Sequence, residues 1–187
     1  MKYFVIVDMQ NDFVTGALKN DAAKAIIPGI VAKAKELKEK GYTIIATRDT
    51  HQKNYMSTQE GKNLPVEHCI EGSDGWKVVD EIKPLVDEYV DKPSFGFIDW
   101  KDTITELLKV HTSENVSEGQ IKYNSEPEEI AMCGTCTGIC VASNFSVLKA
   151  SYPEVPITVY KDLCACLTPE THEAAITVMK TQQAIIV

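Results

Sequence analysis

Cys140 is the residue of this sequence whose setting best suits a nucleophile. The apolar residues Ile130 to Met132 predict a short strand that breaks at Gly134, and the apolar spacing from Val141 onward predicts a helix. Such a strand-turn-helix junction points backbone N–H groups and the positive end of the helix dipole at the first helical residues. We therefore expect a lowered pKa for the Cys140 thiol, which would make it a reactive thiolate.

Other interpretations of the cysteines stay open on the residues alone. Free cysteines are most often small, buried, apolar residues of the core. Cys133 and Cys136 form a C-x-x-C after a strand, which is the position of the redox pair in thioredoxin-like proteins. Cys136 and Cys140 could also join Cys164 and Cys166 around a metal ion, although the latter two are spaced C-x-C.

A second set of residues suited to chemistry lies in the long segment between Asp49 and Trp76, which has no clear helix or strand pattern. Asp-x-His at Asp49 and His51, followed by Glu60 and His68, suits a divalent metal ion bound through nitrogen and oxygen. In an extended segment the first two side chains point to one side, and a metal would order a polar loop. A solvated loop with scattered polar groups is an equally good interpretation.

The elements that must position these residues alternate along the chain. The sequence predicts strands at Tyr3–Val7, Thr43–Thr47, Glu88–Val90, Ile130–Met132, Pro156–Tyr160 and Ala184–Val187, and we expect the first two to be buried. Helical patterns separate them, and we expect Pro28 to open one of these helices and Thr168 to cap another. The alternation predicts a three-layer α/β fold, Rossmann-like, with a mainly parallel sheet of about six strands.

Two charged residues stand at the ends of predicted strands. Asp8 follows the first strand and Lys92 follows the strand at Glu88–Val90. Because the carboxyl ends of parallel strands meet at one edge of a sheet, we expect both side chains near Cys140. Taken singly, Asp8 would fit a helix cap equally well, and a lysine after a strand is usually solvated.

Length and composition exclude several classes of partner. The 187 residues are expected to form a single domain over 1–187. A net charge of −8 without a basic run argues against a nucleic-acid partner, and no apolar run reaches the roughly 20 residues of a membrane span. Six cysteines without a signal peptide are typical of reduced thiols, so we expect a cytoplasmic protein. The polar stretch Thr112 to Glu129 is expected to be an exposed connection, with a short strand possible at Ile121–Tyr123.

Five stretches, spread in order along the chain, together resemble the isochorismatase-like cysteine hydrolase superfamily, and within it the nicotinamidases and pyrazinamidases. They are Val-Asp8-Met-Gln-Asn-Asp-Phe13, Thr-Arg-Asp49-Thr-His51, Leu-Pro-Val-Glu-His68-Cys, Asp-Lys92-Pro-Ser-Phe95 and Gly134-Thr-Cys-Thr-Gly-Ile-Cys140-Val. Any one of these stretches is a weak signal, whereas the ordered set is specific. The resemblance implies hydrolysis of nicotinamide, and of pyrazinamide as well, to the acid and ammonia through a thioester.

The resemblance also implies a role for each matching residue. Asp8, Lys92 and Cys140 would form a triad, in which Asp8 takes the thiol proton and later gives it to ammonia. The backbone N–H groups of Cys136 and Cys140 would form the oxyanion hole, after a cis peptide bond between Thr135 and Cys136. A small-molecule amide is the implied partner, and homo-oligomers, dimers or tetramers, are usual in the superfamily.

The resemblance further implies a metal ion near the pocket. We expect Asp49, His51, Glu60 and His68 to bind zinc, with manganese or iron as the other candidates. The segment lacks a histidine that many nicotinamidases carry after the Asp-x-His, and Glu60 is spaced as in relatives that use a carboxylate instead. Gly138 also departs from the superfamily, which commonly has Asp there.

Phe13 and Trp76 are candidate walls of the substrate pocket, although each aromatic residue is more often part of the core.

Three alternative functions remain at this point. A cysteine hydrolase of carbamoyl amides would keep the same triad. A dithiol redox protein would use Cys133 and Cys136 but would leave the acidic, basic and histidine residues unexplained. A non-catalytic member of the superfamily would bind the metal and hydrolyse nothing. An isochorismatase would need no thiol, so Cys140 argues against it.

Overall fold

The computed structural model describes residues 1–113 and 126–187, in which the chain forms six strands and six α-helices. The strands are β1 (Lys2–Val7), β2 (Tyr42–Asp49), β3 (Glu88–Lys92), β4 (Glu129–Thr135), β5 (Ile157–Ala165) and β6 (Ile185–Ile186). The helices are α1 (Asn11–Val14), α2 (Asp21–Glu39), α3 (Gln59–Asn63), α4 (Trp100–Ser113), α5 (Ala142–Ser151) and α6 (Pro169–Thr181). None of the helices in these described ranges is long and apolar enough to cross a membrane.

The strands form one sheet in the order β3-β2-β1-β4-β5-β6, and every pairing is parallel. This confirms the predicted α/β fold with its parallel sheet. The chain builds the sheet outward from β1 in one direction and then from β4 in the other. The carboxyl ends of β1 and β4 therefore flank the switch point of the sheet, where open α/β folds form their clefts.

Burial of the two central strands, β1 and β4, explains why their sequences are unbroken apolar runs. In β1, Tyr3 to Val7 are completely buried, and in β4 the side chains of Ile130 to Cys133 are completely buried too. Such strands are covered by helices on both faces of the sheet, so polar residues first appear where the strand ends. The polar side chains that follow these strands therefore lie at one edge of the sheet, at the carboxyl ends of the strands.

The helix before β2 begins earlier than the sequence analysis predicted. It starts at Asp21, with the Asn20 side chain accepting a hydrogen bond from the Ala22 N–H, and it contains Pro28 in its interior. Pro28 lies on the exposed face, so water can bond the Lys24 carbonyl that the proline ring leaves without a donor. The prediction that Pro28 opens the helix was wrong.

Four strands, β2 to β5, run further toward their carboxyl ends than predicted. β4 does not break at Gly134, which stays in the strand with φ +121° and pairs with Val7 of β1. A side chain there would collide with the Val7 carbonyl oxygen, so the position needs glycine. β3 likewise continues through Lys92, which is therefore part of the sheet. The short strand considered at Ile121–Tyr123 lies outside the described residues.

Candidate active site and metal centre

The chain after β4 presents Cys140 from an unusual turn. The Thr135–Cys136 peptide bond is cis, as the resemblance implied. Residues Thr137–Val141 then form a π-helical turn that leads directly into α5, and the Cys136 carbonyl accepts hydrogen bonds from two N–H groups of that turn. Cys140 lies inside this π-helical turn with only 6% of its surface exposed.

Three of the predicted site residues meet at the carboxyl edge of the sheet, and we call Asp8, Lys92 and Cys140 the triad. Lys92 Nζ lies 2.7 Å from Asp8 Oδ2 and 3.7 Å from Cys140 Sγ, and it also donates to the Ser94 carbonyl at 3.1 Å. Asp8 and Lys92 are completely buried. The Thr47 hydroxyl, from neighbouring β2, donates to Asp8 Oδ1 and accepts from the Asp8 N–H at 3.1 Å. Asp8 and Lys92 are therefore held at the ends of parallel strands, and the π-helical turn after β4 holds Cys140.

The electrostatics of the triad differ from the expectation for Cys140. Burial raises the pKa of the Cys140 thiol well above its usual range, and the Asp8 carboxylate adds to this, while Lys92 opposes it. The direction is opposite to the predicted lowering of the pKa, because burial and the Asp8 carboxylate outweigh the charge of Lys92.

The same burial acts on the two charged partners of the thiol. Burial raises the pKa of Asp8, and the neighbouring Lys92 ammonium only partly offsets the rise. Burial alone would lower the pKa of Lys92, but Asp8 and the sulfur of Cys140 raise it overall, so Lys92 stays an ammonium. An acid with a raised pKa is the stronger base, so Asp8 is suited to accept a proton from the thiol.

The four predicted metal ligands also come together, and we call Asp49, His51, Glu60 and His68 the ligand group. One potential ligand atom from each residue lies within 4.8 Å of the others. His51 Nε2 is 3.0 Å from Asp49 Oδ2 and 3.6 Å from Glu60 Oε1. The Nδ1 atom of His68 lies 2.8 Å from the Val66 carbonyl. That contact places the proton on Nδ1 and leaves the lone pair of Nε2 facing the group.

The unpaired atoms of the ligand group fit a divalent cation. His51 Nε2 is buried and has no hydrogen-bond partner within the described ranges, although two carboxylates face it. Burial would raise the pKa of Asp49, but the neighbouring His51 and His68 imidazoles and the Lys92 ammonium lower it overall, so this carboxyl is ionised as a ligand must be. Burial and the charge of Asp49 raise the pKa of Glu60, and a cation would relieve this repulsion. Imidazole and carboxylate donors suit zinc, manganese and iron.

Asp49 connects the ligand group to the triad. Its Oδ2 atom faces the histidines, while its Oδ1 atom lies 3.3 Å from Lys92 Nζ. Gln10, completely buried, holds the backbone of Asp49 by donating to its carbonyl at 2.9 Å and accepting from its N–H at 2.7 Å. From the sequence, Asp49 was predicted only as a metal ligand. The contact with Lys92 depends on the parallel pairing of β2 with β3, which places Asp49 opposite Lys92.

A cavity of about 470 Å³ opens onto both groups of residues. Its polar lining includes Asp49, Glu60, His68, Thr135, Cys136 and Cys140, and its apolar lining includes Phe13, Leu64, Phe95, Ile139 and Leu167. The Phe13 ring lies 5.6 Å from the His68 ring, measured between ring centres. A second cavity, of about 610 Å³, is lined by α2 and the Val79 segment and contains none of the triad or ligand residues.

The second candidate for the pocket wall, Trp76, does not line this cavity. The Arg48 guanidinium lies 3.8 Å above its ring, and its Nε1 donates to the Thr50 hydroxyl at 2.8 Å. Its carbonyl accepts a hydrogen bond from Gln10. Trp76 thus anchors the long segment to the end of β2, and its assignment to the substrate pocket was wrong.

Asn144 is a site residue that the sequence analysis missed. It is completely buried, and its side-chain nitrogen donates to the carbonyl of Cys140 at 2.8 Å and of Phe95 at 3.0 Å. Its side-chain oxygen accepts from the Phe97 N–H at 3.0 Å and from the Trp100 ring at 2.8 Å. Asn144 therefore joins the π-helical turn to the segment after Lys92. An asparagine beside an apolar stripe resembles an exposed helix residue, so the sequence carries no signal for this role.

The remaining cysteines are arranged differently from either sequence interpretation. Cys133 is completely buried inside β4, whereas Cys136 Sγ lies 3.1 Å from Cys166 Sγ. The C-x-x-C pair is thus not the pair that the fold brings together. Within residues 1–113 and 126–187, the ligand group is the one cluster of three or more His, Cys, Asp or Glu side chains placed to hold a metal, so a cysteine metal cluster is not present there.

Comparison with known proteins places the whole chain in one family. A family model described as the isochorismatase domain matches residues 2–187. The nicotinamidase of Saccharomyces cerevisiae (strain ATCC 204508 / S288c) is 23% identical over an alignment of 181 residues, and the match covers 81% of this chain and 83% of the yeast protein. The match therefore spans most of both chains at low identity.

Solved structures show the same architecture. The pyrazinamidase of Pyrococcus horikoshii, in complex with zinc, is 26% identical with a TM-score of 0.74, covering 100% of this chain and 98% of that one. A nicotinamidase from Bacillus subtilis is 22% identical with a TM-score of 0.78 and the same coverage. The N-carbamoylsarcosine amidase of Thermoplasma acidophilum is 20% identical with a TM-score of 0.72, covering 99% and 94%. The Bacillus subtilis and Thermoplasma acidophilum proteins are less than 25% identical to this chain, and at that identity the likeness shows a shared fold only.

Proposed function

The chain belongs to the isochorismatase family of hydrolases, and we propose that it is a cysteine amidohydrolase that converts nicotinamide to nicotinate and ammonia. Pyrazinamide is the second proposed substrate. The observation that carries the proposal is the contact of Lys92 Nζ with both the Asp8 carboxylate and the Cys140 sulfur, beside a cavity that also reaches the ligand group. Relatives that are named nicotinamidase and pyrazinamidase support this choice of substrate.

The proposed first step forms a thioester. Cys140 Sγ attacks the carboxamide carbon while Asp8 accepts the thiol proton, and Lys92 stabilises the developing negative charge on sulfur. As the C–N bond breaks, Asp8 gives the proton to the leaving nitrogen, which departs as ammonia. Burial raises the pKa of the Cys140 thiol, so we propose that the transfer of its proton to Asp8 accompanies the attack.

The proposed second step releases the acid. Water attacks the thioester carbon while Asp8 accepts one of its protons, and the sulfur leaves and is protonated again. In both steps we propose that the backbone N–H groups of Cys136 and Cys140, two residues that line the cavity, stabilise the negative charge on the carbonyl oxygen. Each such donor contributes about 3–4 kcal/mol to the stabilisation of comparable transition states.

We propose that the ligand group binds a zinc ion, with manganese or iron as the alternatives. Asp49, His51, Glu60 and His68 would hold it, and the ion would offer a coordination position and Lewis-acid character to the ring nitrogen of the substrate. Phe13, beside His68, is the proposed apolar wall for the ring. A cavity of about 470 Å³ is large enough for an amide on one aromatic ring.

Ammonia release from a panel of nicotinamide, pyrazinamide and carbamoyl amides tests the proposal. We expect the two ring amides to have the highest kcat/KM, and a chelator to lower that value until zinc is restored. If carbamoyl amides are the better substrates and the chelator has no effect, the protein is a carbamoyl-amide hydrolase. If no amide releases ammonia, the non-catalytic alternative replaces the proposal.

A further inference from the structure

A second pair of thiols meets at the edge of the candidate active site. Thr135 of β4 lies opposite Ala165 of β5 in the sheet, so the residues that follow these two strands come side by side. They are Cys136 and Cys166, whose sulfur atoms are 3.1 Å apart. Cys136 lines the cavity that Cys140 faces. The proposed mechanism uses the backbone of Cys136 and makes no use of either sulfur.

The two thiols of this pair have unlike surroundings. Cys166 Sγ accepts hydrogen bonds from the Thr171 hydroxyl at 3.3 Å and the Gly138 N–H at 3.4 Å, and it stands just before α6. Burial would raise the pKa of Cys166, but those donors and Cys136 lower it overall. Burial and the neighbouring Cys166 raise the pKa of Cys136 to about 12. The surroundings of Cys166 thus favour its thiolate form, whereas those of Cys136 favour its protonated form.

We propose that Cys136 and Cys166 are a peroxide-sensitive site, which forms a reversible disulfide and thereby switches the hydrolase off. The Cys166 thiolate attacks one oxygen of hydrogen peroxide, the O–O bond breaks, and hydroxide departs. Cys166 is then a sulfenic acid. The Cys136 sulfur then attacks the sulfur of that acid, the S–O bond breaks, and water leaves with the thiol proton. In total, the two cysteines lose two electrons to form the disulfide. One hydrogen peroxide is reduced to two waters, because the hydroxide released in the first step takes up a proton.

The geometry requires only a small movement for this disulfide. A disulfide bond is about 2.05 Å long, so the two sulfurs must approach by about 1 Å from their present separation. Cys136 is half-buried and reached from the cavity, and Cys166 keeps 7% of its surface exposed. The other free thiols, including Cys69, Cys133 and Cys164, are buried, and no hydrogen bond joins their sulfurs within the described part of the chain.

The effect on activity follows from the position of Cys136, and this part of the inference rests on the proposed function. The Cys136 N–H is one of the two proposed oxyanion donors, and the Cys136 carbonyl supports the π-helical turn that carries Cys140. α6 also touches that turn through a 2.9 Å contact between Thr137 Oγ1 and His172 Nδ1. A shift of about 1 Å at a catalytic constellation costs on the order of 100-fold in rate.

The test treats reduced, metal-loaded protein with a limited amount of hydrogen peroxide and maps its disulfides by peptide mass spectrometry. The Cys140→Ala variant is mapped in parallel, so that oxidation of the nucleophile cannot produce the signal. Cys166→Ser removes the proposed thiolate. Cys164→Ser is the matched control, because it removes a buried thiol two residues earlier in β5 and leaves the pair intact.

We expect a Cys136–Cys166 disulfide in wild type, in Cys140→Ala and in Cys164→Ser, and its reversal by a dithiol reductant. Ammonia release should fall about 100-fold in oxidised wild type and in Cys164→Ser, and it should be retained in Cys166→Ser at the same dose. Another pairing, or no disulfide in wild type, overturns the site. Equal inactivation of Cys166→Ser overturns the switch. If no amide is hydrolysed at all, the disulfide map still decides the pairing, so failure of the proposed function is separately visible.

Discussion

The triad and the ligand group face one cavity, but the fold holds them in different ways. The triad residues stand on or just after strands of the sheet, and its ion pair between Asp8 and Lys92 is complete without any bound ligand. Most of the ligand group comes from the segment between β2 and β3, and His51 Nε2 has no hydrogen-bond partner within the described ranges. The sheet therefore preorganises the triad, whereas the ligand group needs a cation to satisfy its atoms.

Asp49 is the one residue that belongs to both arrangements. Its two carboxylate oxygens face Lys92 and His51, at 3.3 and 3.0 Å respectively. A single acid at the end of β2 can thus position a bound cation relative to the lysine beside the nucleophile. We expect loss of the cation to weaken substrate binding and turnover while the triad itself stays assembled.

The largest expected effect is that of removing the nucleophile. Cys140→Ala should reduce ammonia release by more than about 10⁴-fold, because no other group can form the thioester. The variant should still bind stoichiometric zinc, as measured by elemental analysis, since the ligand group does not include the sulfur. Cys164→Ala is the control and should keep most of the activity. Turnover in Cys140→Ala at the wild-type rate would remove Cys140 from the mechanism.

Lys92→Met should have the next largest effect, with a loss of about 10³-fold in kcat/KM. It leaves the buried Asp8 carboxylate without a counter-charge, and breaking such a buried pair costs about 3–5 kcal/mol in the free energy of unfolding. Lys92 opposes the rise in the pKa of Cys140, so the variant should move that thiol to a still higher pKa.

The pH dependence of kcat/KM measures this change in the variant. The limb of this pH profile that reports ionisation of the Cys140 thiol should shift to higher pH in Lys92→Met. Lys92→Arg should lose less activity but remain severely impaired. A planar guanidinium does not fit the space that the compact ammonium of Lys92 occupies between the Asp8 carboxylate and the Cys140 sulfur. A pH profile of Lys92→Met that overlays the wild-type profile would contradict the role of Lys92 in the triad.

His51→Ala should lower activity on ring amides by about 10- to 100-fold and abolish stoichiometric zinc binding. Glu60→Ala should weaken zinc binding while retaining some of it, because water can replace the half-buried carboxylate. Glu67→Ala, an exposed carboxylate of the same segment, is the matched control and should bind zinc as wild type does.

The rate of alkylation of Cys140 then compares the two groups directly. It should be nearly unchanged in His51→Ala, because the sheet and not the metal holds the triad. A large drop in that rate would contradict independent preorganisation of the triad.

Asn144→Ala should lower kcat about tenfold and destabilise the fold. The change leaves two carbonyls, of Cys140 and Phe95, without their donor, and each buried polar group left unsatisfied costs about 1–3 kcal/mol. Chemical denaturation measures the loss of stability, and steady-state kinetics separates kcat from KM. A change in KM alone would show that Asn144 shapes the cavity and does not position the turn of Cys140.

The smallest expected effect distinguishes the two aromatic candidates for the pocket wall. Phe13→Leu should raise KM for nicotinamide about three- to tenfold, through lost aromatic contact of about 0.5–1.5 kcal/mol. Trp76→Leu should leave KM unchanged at saturating zinc, because that ring packs beneath Arg48 outside the cavity. Equal effects of the two substitutions on KM would show that our assignment of the cavity wall is wrong.

Several properties could be predicted from the order of residues alone. Unbroken apolar runs such as Tyr3–Val7 predicted buried parallel strands and hence the α/β fold. Polar residues at the ends of predicted strands, including Asp8 and Lys92, lie at the carboxyl edge of the sheet, and the ordered motifs indicated the family. The expected homo-oligomer and cytoplasmic location stay predictions. These successes share one cause, since strand burial and strand direction depend mainly on local sequence.

Other properties were decided only by the tertiary structure, because they depend on atoms that are distant in the sequence. The raised pKa of Cys140 comes from burial beside Asp8, and the pairing of Cys136 with Cys166 comes from the register of β4 on β5. Asp49 reaches Lys92 through the pairing of β2 with β3. Spacing along the chain describes neighbours within one element, whereas desolvation and contacts between strands are set when the sheet assembles.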